Sequence, residues 1–358
     1  MAMRSCKIGL SVFVCLLAVF STSLGSRLPM VLLESRVLAQ TLDARKAEAD
    51  KLLQQGREQF KINQFEATLQ SSQQALIIYR EIKDRRGEGA ALRTLGTTYL
   101  SMKNYQKAIE YLQEGFTIAK EIKNRKLQSE ILPLILSIQR QNDSRFAEAN
   151  VLLDESIVMS NTSQFKAAIE LNQKALKIYQ EIKEPISEAT ALNNIGINDV
   201  FLGNYERGIS YIEQSLVLAR KNSDPLNENR ALGNLGITYR RKGDYPKAIN
   251  YFQQQLAIAQ EIEDHLSEVK VLANLGNVHQ NQENYEQAIS YHEQSLTLAR
   301  KINNLHAEGM AIGNIGNSYG MIGNYGKAIE FLQKSLEIAE KVNNPYDKQK
   351  TLSRLGNI

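Results

Sequence analysis

The 358 residues contain no tryptophan, two cysteines, four histidines and six prolines. Both cysteines, Cys6 and Cys15, stand at the N-terminus, so the rest of the chain can form no disulfide and offers no thiol to catalysis or to a metal. His265, His279, His292 and His306 stand singly, without HExxH or any paired metal-ligand spacing. P-loop, GxSxG and GxGxxG motifs are absent as well. No enzymatic activity, cofactor or metal is therefore expected. Beyond the N-terminus no apolar run reaches 20 residues, the length a membrane-crossing helix needs. Charge of one sign is also lacking. The 43 basic and 39 acidic residues give a formal +4, and residues 1–39 hold Arg4, Lys7, Arg27 and Arg36 against Glu34 alone. Without that stretch the counts are 39 and 38, which excludes the basic footprint of a nucleic-acid binder.

The N-terminus itself has a recognisable form. Arg4 and Lys7 precede an apolar run from Ile8 to Leu24, and Val37-Leu38-Ala39 before Gln40 has the small-x-small form of a signal-peptidase site. Residues 1–39 are thus expected to be a signal peptide or membrane anchor. Cleavage at 39/40, cleavage nearer Gly25 and retention as a single anchor all fit the pattern. No small-residue box precedes either cysteine, which argues against a lipoprotein. The expected location is exported: periplasmic, extracellular or membrane-anchored.

From residue 47 onward the sequence repeats. Leu235-Gly236 recurs as Ile195-Gly196, Leu275-Gly276, Ile315-Gly316 and Leu355-Gly356 at intervals of 40, and Leu95-Gly96 stands 100 before Ile195-Gly196. A fixed period of this length signals a solenoid. The unit 227–264 shows why. Leu232, Leu235 and Tyr239 lie on one helical face; Lys242-Gly243-Asp244 breaks that helix, with Gly243 suited to the left-handed C′ position and Asp244 to capping the next. A second apolar stripe follows: Ala248, Ile249, Phe252, Leu256 and Ala259. Gly236 costs its helix roughly 1 kcal/mol against alanine, which predicts that the partner helix crosses close to it. Neither stripe can be buried alone, so neighbouring units must stack.

With Asn229 as position 1, Leu232 takes position 4, Leu235-Gly236 positions 7 and 8, Tyr239 position 11 and Ala248 position 20. This pattern resembles the tetratricopeptide repeat, over roughly residues 47–358. Position 4 is Leu or Ile rather than the family's usual Trp, and the period is 40 rather than 34, as in Pins/LGN-type scaffolds and kinesin light chains; the surplus is expected to lengthen the second helix. The resemblance implies an all-α, right-handed α-solenoid of about seven helical hairpins that binds protein. Secreted bacterial proteins with similar leaders and repeats often continue into a CHAT peptidase domain, which makes a regulatory or targeting remnant of such a protein the second functional reading.

Along the chain the expected organisation is repeats one and two at 47–127, an irregular helical junction at 128–146, repeats three to seven at 147–346, and a terminal half-repeat or capping helix at 347–358. Residues 128–186 are too many for one unit and too few for two, so three helices are expected there. Pro133, and Leu136 at the small position 8, argue against a regular first helix at 128–141. The helix near 146–160 matches two frames. As a second helix it echoes Tyr285, Ala288, Ser295 and Leu296; as a first helix it repeats Ala47-Glu48-Ala49 and Leu52-Leu53 at a shift of 100, the better match.

The functional candidates are amides. Position 6 is Asn194, Asn234, Asn274 and Asn314, and position 9 adds Asn277 and Asn317. Positions 2, 6, 9 and 13 of a first helix face away from its second helix and would line a concave groove. Each amide offers donors and an acceptor, so a row of them can hold an extended peptide backbone whatever its side chains. Arg230, Arg240 and Arg241 would add a positive lip for acidic groups. The expected partner is a protein or peptide, with no nucleic acid, with the membrane met only through an uncleaved leader, and with self-association as a weaker alternative. Tyr105, Tyr205, Tyr245, Tyr285 and Tyr325 at position 17, and Tyr111, Tyr211, Tyr251 and Tyr291 at position 23, are locked to the repeat frame and are read as inter-helix packing, as is His292 at position 24, whereas His265 and His306 are placed near helix ends or turns.

Overall fold

A computed structural model describes residues 27–140 and 143–358, with side chains from residue 39 onward; the leader's apolar run lies outside the described residues. Among the described residues there are sixteen α-helices and no strand. They are α1 (Arg27–Lys61), α2 (Phe65–Glu81), α3 (Arg85–Ser101), α4 (Tyr105–Glu121), α5 (Arg125–Gln139), α6 (Ser144–Asn161), α7 (Phe165–Glu181) and α8 (Pro185–Phe201). The series continues with α9 (Tyr205–Lys221), α10 (Pro225–Lys242), α11 (Tyr245–Glu261), α12 (His265–Asn281), α13 (Tyr285–Lys301), α14 (Leu305–Met321), α15 (Tyr325–Lys341) and α16 (Pro345–Gly356). None of them is long and apolar enough to cross a membrane. The chain forms two compact units, one ending at Ala91 and the other running from Leu92 to Ile358.

The second helix is not the longer of the two, so the surplus of the 40-residue period does not fall to it alone. α10 has 18 residues and α11 has 17, because the turns after Lys242 and after Glu261 cut the unit nearly in half. Those turns share one geometry. Gly243 adopts φ 81°, its N–H donates to the Arg240 carbonyl at 3.1 Å, and the Asp244 N–H donates to the Tyr239 carbonyl at 2.9 Å, a Schellman closure. Asp244 then caps α11 by accepting from the Lys247 N–H. The residue that closes one helix therefore opens the next. The same left-handed position recurs at fourteen turns, eleven of them occupied by Lys, Asn, Ser or Glu at a cost of roughly 1 kcal/mol each.

Within the hairpins other than α6–α7, where Ser156 takes position 8, the two helices cross at the position-8 glycine. A Cβ on Gly236 would stand 2.6 Å from the Phe252 ring, and one on Gly196 would stand 2.5 Å from Ile212 and 2.7 Å from the Gly208 carbonyl oxygen. The opposing residue is at position 24: Leu112, Ile212, Phe252, His292 and Leu332 are fully buried there, as are Ser72 opposite Gly56 and Asn172 opposite Ser156. Of the tyrosines expected to pack, Tyr205, Tyr245, Tyr251 and Tyr291 lie against the core, whereas Tyr325 is exposed. Tyr99 stacks on Tyr111 at 5.5 Å and Tyr239 on Tyr251 at 5.4 Å, with Lys107 and Lys247 over the rings. Where α8 carries Asp199 in place of that first ring, the carboxylate is fully buried and held by the Arg207 guanidinium (Nε 2.7 Å).

The three helices expected across 128–186 are the end of α5, then α6 and α7. Pro133 lies inside α5 rather than ending it, because Asn124 caps the helix and Leu127, Ile131 and Ile135 seal its apolar stripe against Leu112 and Ala119 of α4. α6 pairs with α7 as a first helix with its second. The Tyr179 hydroxyl donates to Asn150 Oδ1 at 2.7 Å, reproducing within the larger unit the Tyr79–Asp50 bond of the smaller one, also 2.7 Å. The Ser160 hydroxyl reaches Asn198 Oδ1 on α8 at 2.8 Å, one first helix to the next. α5 is thus a first helix without a second. Its free flank faces α10 and α11 instead: Arg125 pairs with Glu228 (2.6 Å) and Glu261 (3.3 Å), and Lys126 pairs with Glu263.

Two stability predictions follow from these contacts. Gly236→Ala forces the Phe252 ring aside and is expected to cost about 1–3 kcal/mol in urea denaturation, whereas Gly326→Ala, whose Cβ meets nothing within 4 Å, gains about 0.5–1 kcal/mol. His292 is fully buried against Gly276 with neither ring nitrogen partnered, and burial, helped by Arg354 and Lys350, depresses its pKa to about 4. The unfolded imidazole takes up its proton near pH 6.5, but the folded one does not until about pH 4. This residue's contribution is therefore complete above pH 6.5 and is lost as pH falls through that window, by roughly 3 kcal/mol at most. His292→Phe, copying Phe252 against Gly236, should raise the melting temperature at pH 7 and flatten the dependence between pH 6.5 and 4; an unchanged pH profile contradicts this account.

Candidate functional site

The face that the amides occupy is defined by which helices approach one another. Successive first helices touch along the larger unit, α8 with α10, α10 with α12, α12 with α14 and α14 with α16, while successive second helices do not come as close. A stack whose first helices are crowded and whose second helices are spread curves with the first helices inside. Positions 2, 6, 9 and 13 therefore lie on the inner side.

The structure places the six asparagines on this face in two conditions. Asn234 and Asn314 are committed to neighbours: Asn234 Nδ2 donates to Asn193 Oδ1 at 3.0 Å, and Asn314, almost completely buried, accepts from Arg354 Nη2 at 3.0 Å. Both bonds link one first helix to the next and so brace the stack. Asn194, Asn274, Asn277 and Asn317 are half-buried, with no bond drawn from their side-chain amides. Those four keep donors and acceptors for a ligand.

The three arginines do not form one lip. Arg230 lies near the start of α10, whereas Arg240 and Arg241 lie about 15 Å further along at its end. Arg241 is spent on the Phe201 ring of α8, 4.5 Å from its centroid. Arg240 is half-buried with its Nε unpartnered, and burial, then the neighbouring Arg241, lowers its pKa. Arg230 is exposed on the wall of a cavity of about 540 Å³ between α5, α6, α8 and α10.

Sequence reasoning missed two cations, Lys350 and Arg354 of α16, which burial pulls below their ordinary pKa values. The signal was available, since Lys350 stands at position 2 and Arg354 at position 6, where other units carry Asn. Across α8, α10, α12, α14 and α16 the inner positions 2, 6, 9 and 13 hold Arg230, Arg241, Lys270, Lys350 and Arg354 but no carboxylate. The groove is consequently an amide-lined, cationic surface. It can hold backbone amides and carboxylates; no group of three or more His, Cys, Asp or Glu placed to hold a metal ion exists among the described residues. His265 stands 3.3 Å from Glu268 and His306 stands 3.1 Å from Asp347, both beside helix starts.

A family model described as tetratricopeptide repeat matches residues 59–121, 187–261 and 267–341, together more than half of the chain. No curated protein matches the sequence. Among solved structures, aspartyl phosphate phosphatase F from Bacillus subtilis is 16% identical with a TM-score of 0.52, over 86% of this chain and 78% of that one. A signal transduction ATPase with a tetratricopeptide repeat sensor from Pyrococcus horikoshii is 18% identical with a TM-score of 0.50, over 91% of this chain and 47% of that one. The repeats of a Podosopora anserina kinesin light chain are 15% identical with a TM-score of 0.47, over 56% of this chain and 99% of that one. At such identities the likeness is one of fold. With the 40-residue signature, the stacked helical hairpins and the family match in agreement, the chain belongs to the tetratricopeptide repeat family.

Proposed function

We propose that this chain is a non-catalytic scaffold whose inner groove docks an extended, carboxylate-bearing segment of a partner protein. The observation that carries this reading is the inner face itself, with amides at positions 6 and 9, cations at its edges and no carboxylate to repel an acidic ligand. Docking needs little rearrangement, because the first helices are already braced to one another by the Asn234–Asn193 and Arg354–Asn314 bonds. A preformed groove keeps the ordering cost of binding on the ligand's side. We further propose export, supported by Arg4 and Lys7 ahead of the apolar run 8–24.

The groove is tested with Asn274→Ala, Asn277→Ala and Asn317→Ala combined, chosen because none of the three braces the stack. Affinity capture should lose a partner that the unaltered chain retains, at unchanged helicity and melting temperature. An identical set of captured proteins would dismiss the amides. Export is tested by fusing residues 1–45 to alkaline phosphatase in a bacterial host: activity is expected, and loss of it on Leu16→Arg.

A further inference from the structure

The cavity between α5, α6, α8 and α10 is built from residues that the repeat pattern does not explain. Pro133 and Leu136 depart from the repeat, at positions 5 and 8, and both line this space together with Leu132 and Leu153. Position 8 needs a glycine only where a second helix crosses, and α5 has none of its own. Freed from that constraint, α5 turns exposed Pro133 and half-buried Leu136 toward the opening as an apolar wall. α5 is held there by its ion pairs to α10 and α11, so the wall faces the N-terminal turns of α8 and α10.

The opposite wall sets Ser187, Thr190, Asp224, Asn227 and Arg230 beside Ile186 and Leu226, and its charge is unbalanced. Asp224 is the sole carboxylate lining the cavity, and it is saturated: Oδ1 accepts from the Leu226 and Asn227 N–H groups, and Oδ2 accepts from Asn227 Nδ2 at 2.6 Å. Arg140 is neutralised by Glu184, with its Nη2 2.7 Å from Oε2. Thr190 and Asn227 bond to each other at 3.2 Å. That leaves Arg230, exposed and without an acidic partner among the described residues. A volume of about 540 Å³ is within the range of ligand pockets, enough for a few side chains.

We propose that this cavity is a peptide-binding subsite that takes an apolar, leucine-like side chain against Leu132, Pro133 and Leu136, with a neighbouring carboxylate on Arg230. A peptide is favoured over a small amphiphile by continuity: Thr190 lines the cavity, and Asn194, with its amide uncommitted, stands one helical turn further along the same face of α8, so a chain leaving the cavity runs onto the amide row. The subsite rests on the groove reading above and adds to it the chemistry of the ligand, an apolar anchor beside an acid.

Fluorescence anisotropy with three labelled octapeptides on the full chain tests this: leucine interspersed with aspartate, serine interspersed with aspartate, and leucine interspersed with lysine. Saturable binding is expected for the first alone. Arg230→Glu should weaken it at least ten-fold, and Ser137→Trp, which fills the cavity from an exposed position, should do the same without lowering the melting temperature. Absence of binding by the leucine–aspartate peptide overturns the subsite, as does equal binding of all three. If Asn274→Ala with Asn277→Ala weakens the peptide while Arg230→Glu and Ser137→Trp do not, the groove stands and the subsite falls.

Discussion

The close crossing of the two helices in a hairpin, with a side chain laid against glycine backbone, is the constraint from which the rest of the structure follows. At Gly236 the Phe252 ring occupies the space where any Cβ would stand. That approach brings position 11 to position 23, and the Tyr239–Tyr251 stack follows from it. It also turns the apolar stripes of both helices inward, so that the flank of each hairpin must be covered by the next. Val200, Leu235, Phe252, Val271 and Leu275 accordingly belong to one continuous core spanning several units.

A regular turn makes the crossing repeatable. The left-handed residue and the capping residue after it confine fourteen of the connections to about three residues, and helices from α2 onward start about 20 residues apart. This spacing continues through α5 and α6. What breaks is the alternation of first and second helices. The consequence is a helix with one flank free, and the ion pairs of Arg125 and Lys126 fold that flank over α10 and α11, which lie about a hundred residues later. A defect in the repeat thus builds the cavity between α5, α6, α8 and α10.

Polar residues in the stack divide by whether their bonding capacity is used up. Asn234, Asn314 and Asp199 are partnered and serve to hold helices together. His292 is buried with both nitrogens unpartnered, a cost carried where four other units place an apolar side chain. Asn194, Asn274, Asn277 and Asn317 stay half-buried with their capacity free. Identical residues at identical repeat positions therefore have different roles, depending on what the adjacent helix presents.

The sequence by itself determined the period, the hairpin unit, the glycine crossing and the face on which the amides stand, because each depends on spacing within some forty residues and on local helix geometry. It also pointed to α6 as a first helix through the match at a shift of 100. Only the tertiary structure decided that the two helices of a unit are nearly equal in length, since the left-handed turn after Glu261 uses a glutamate where sequence reasoning looks for glycine. It likewise decided which asparagines are consumed in bracing, that Arg230 stands apart from Arg240 and Arg241, and that α5 closes a cavity with α10. Those outcomes rest on contacts between units, set by the curvature of the stack, and no local window of sequence encodes that curvature.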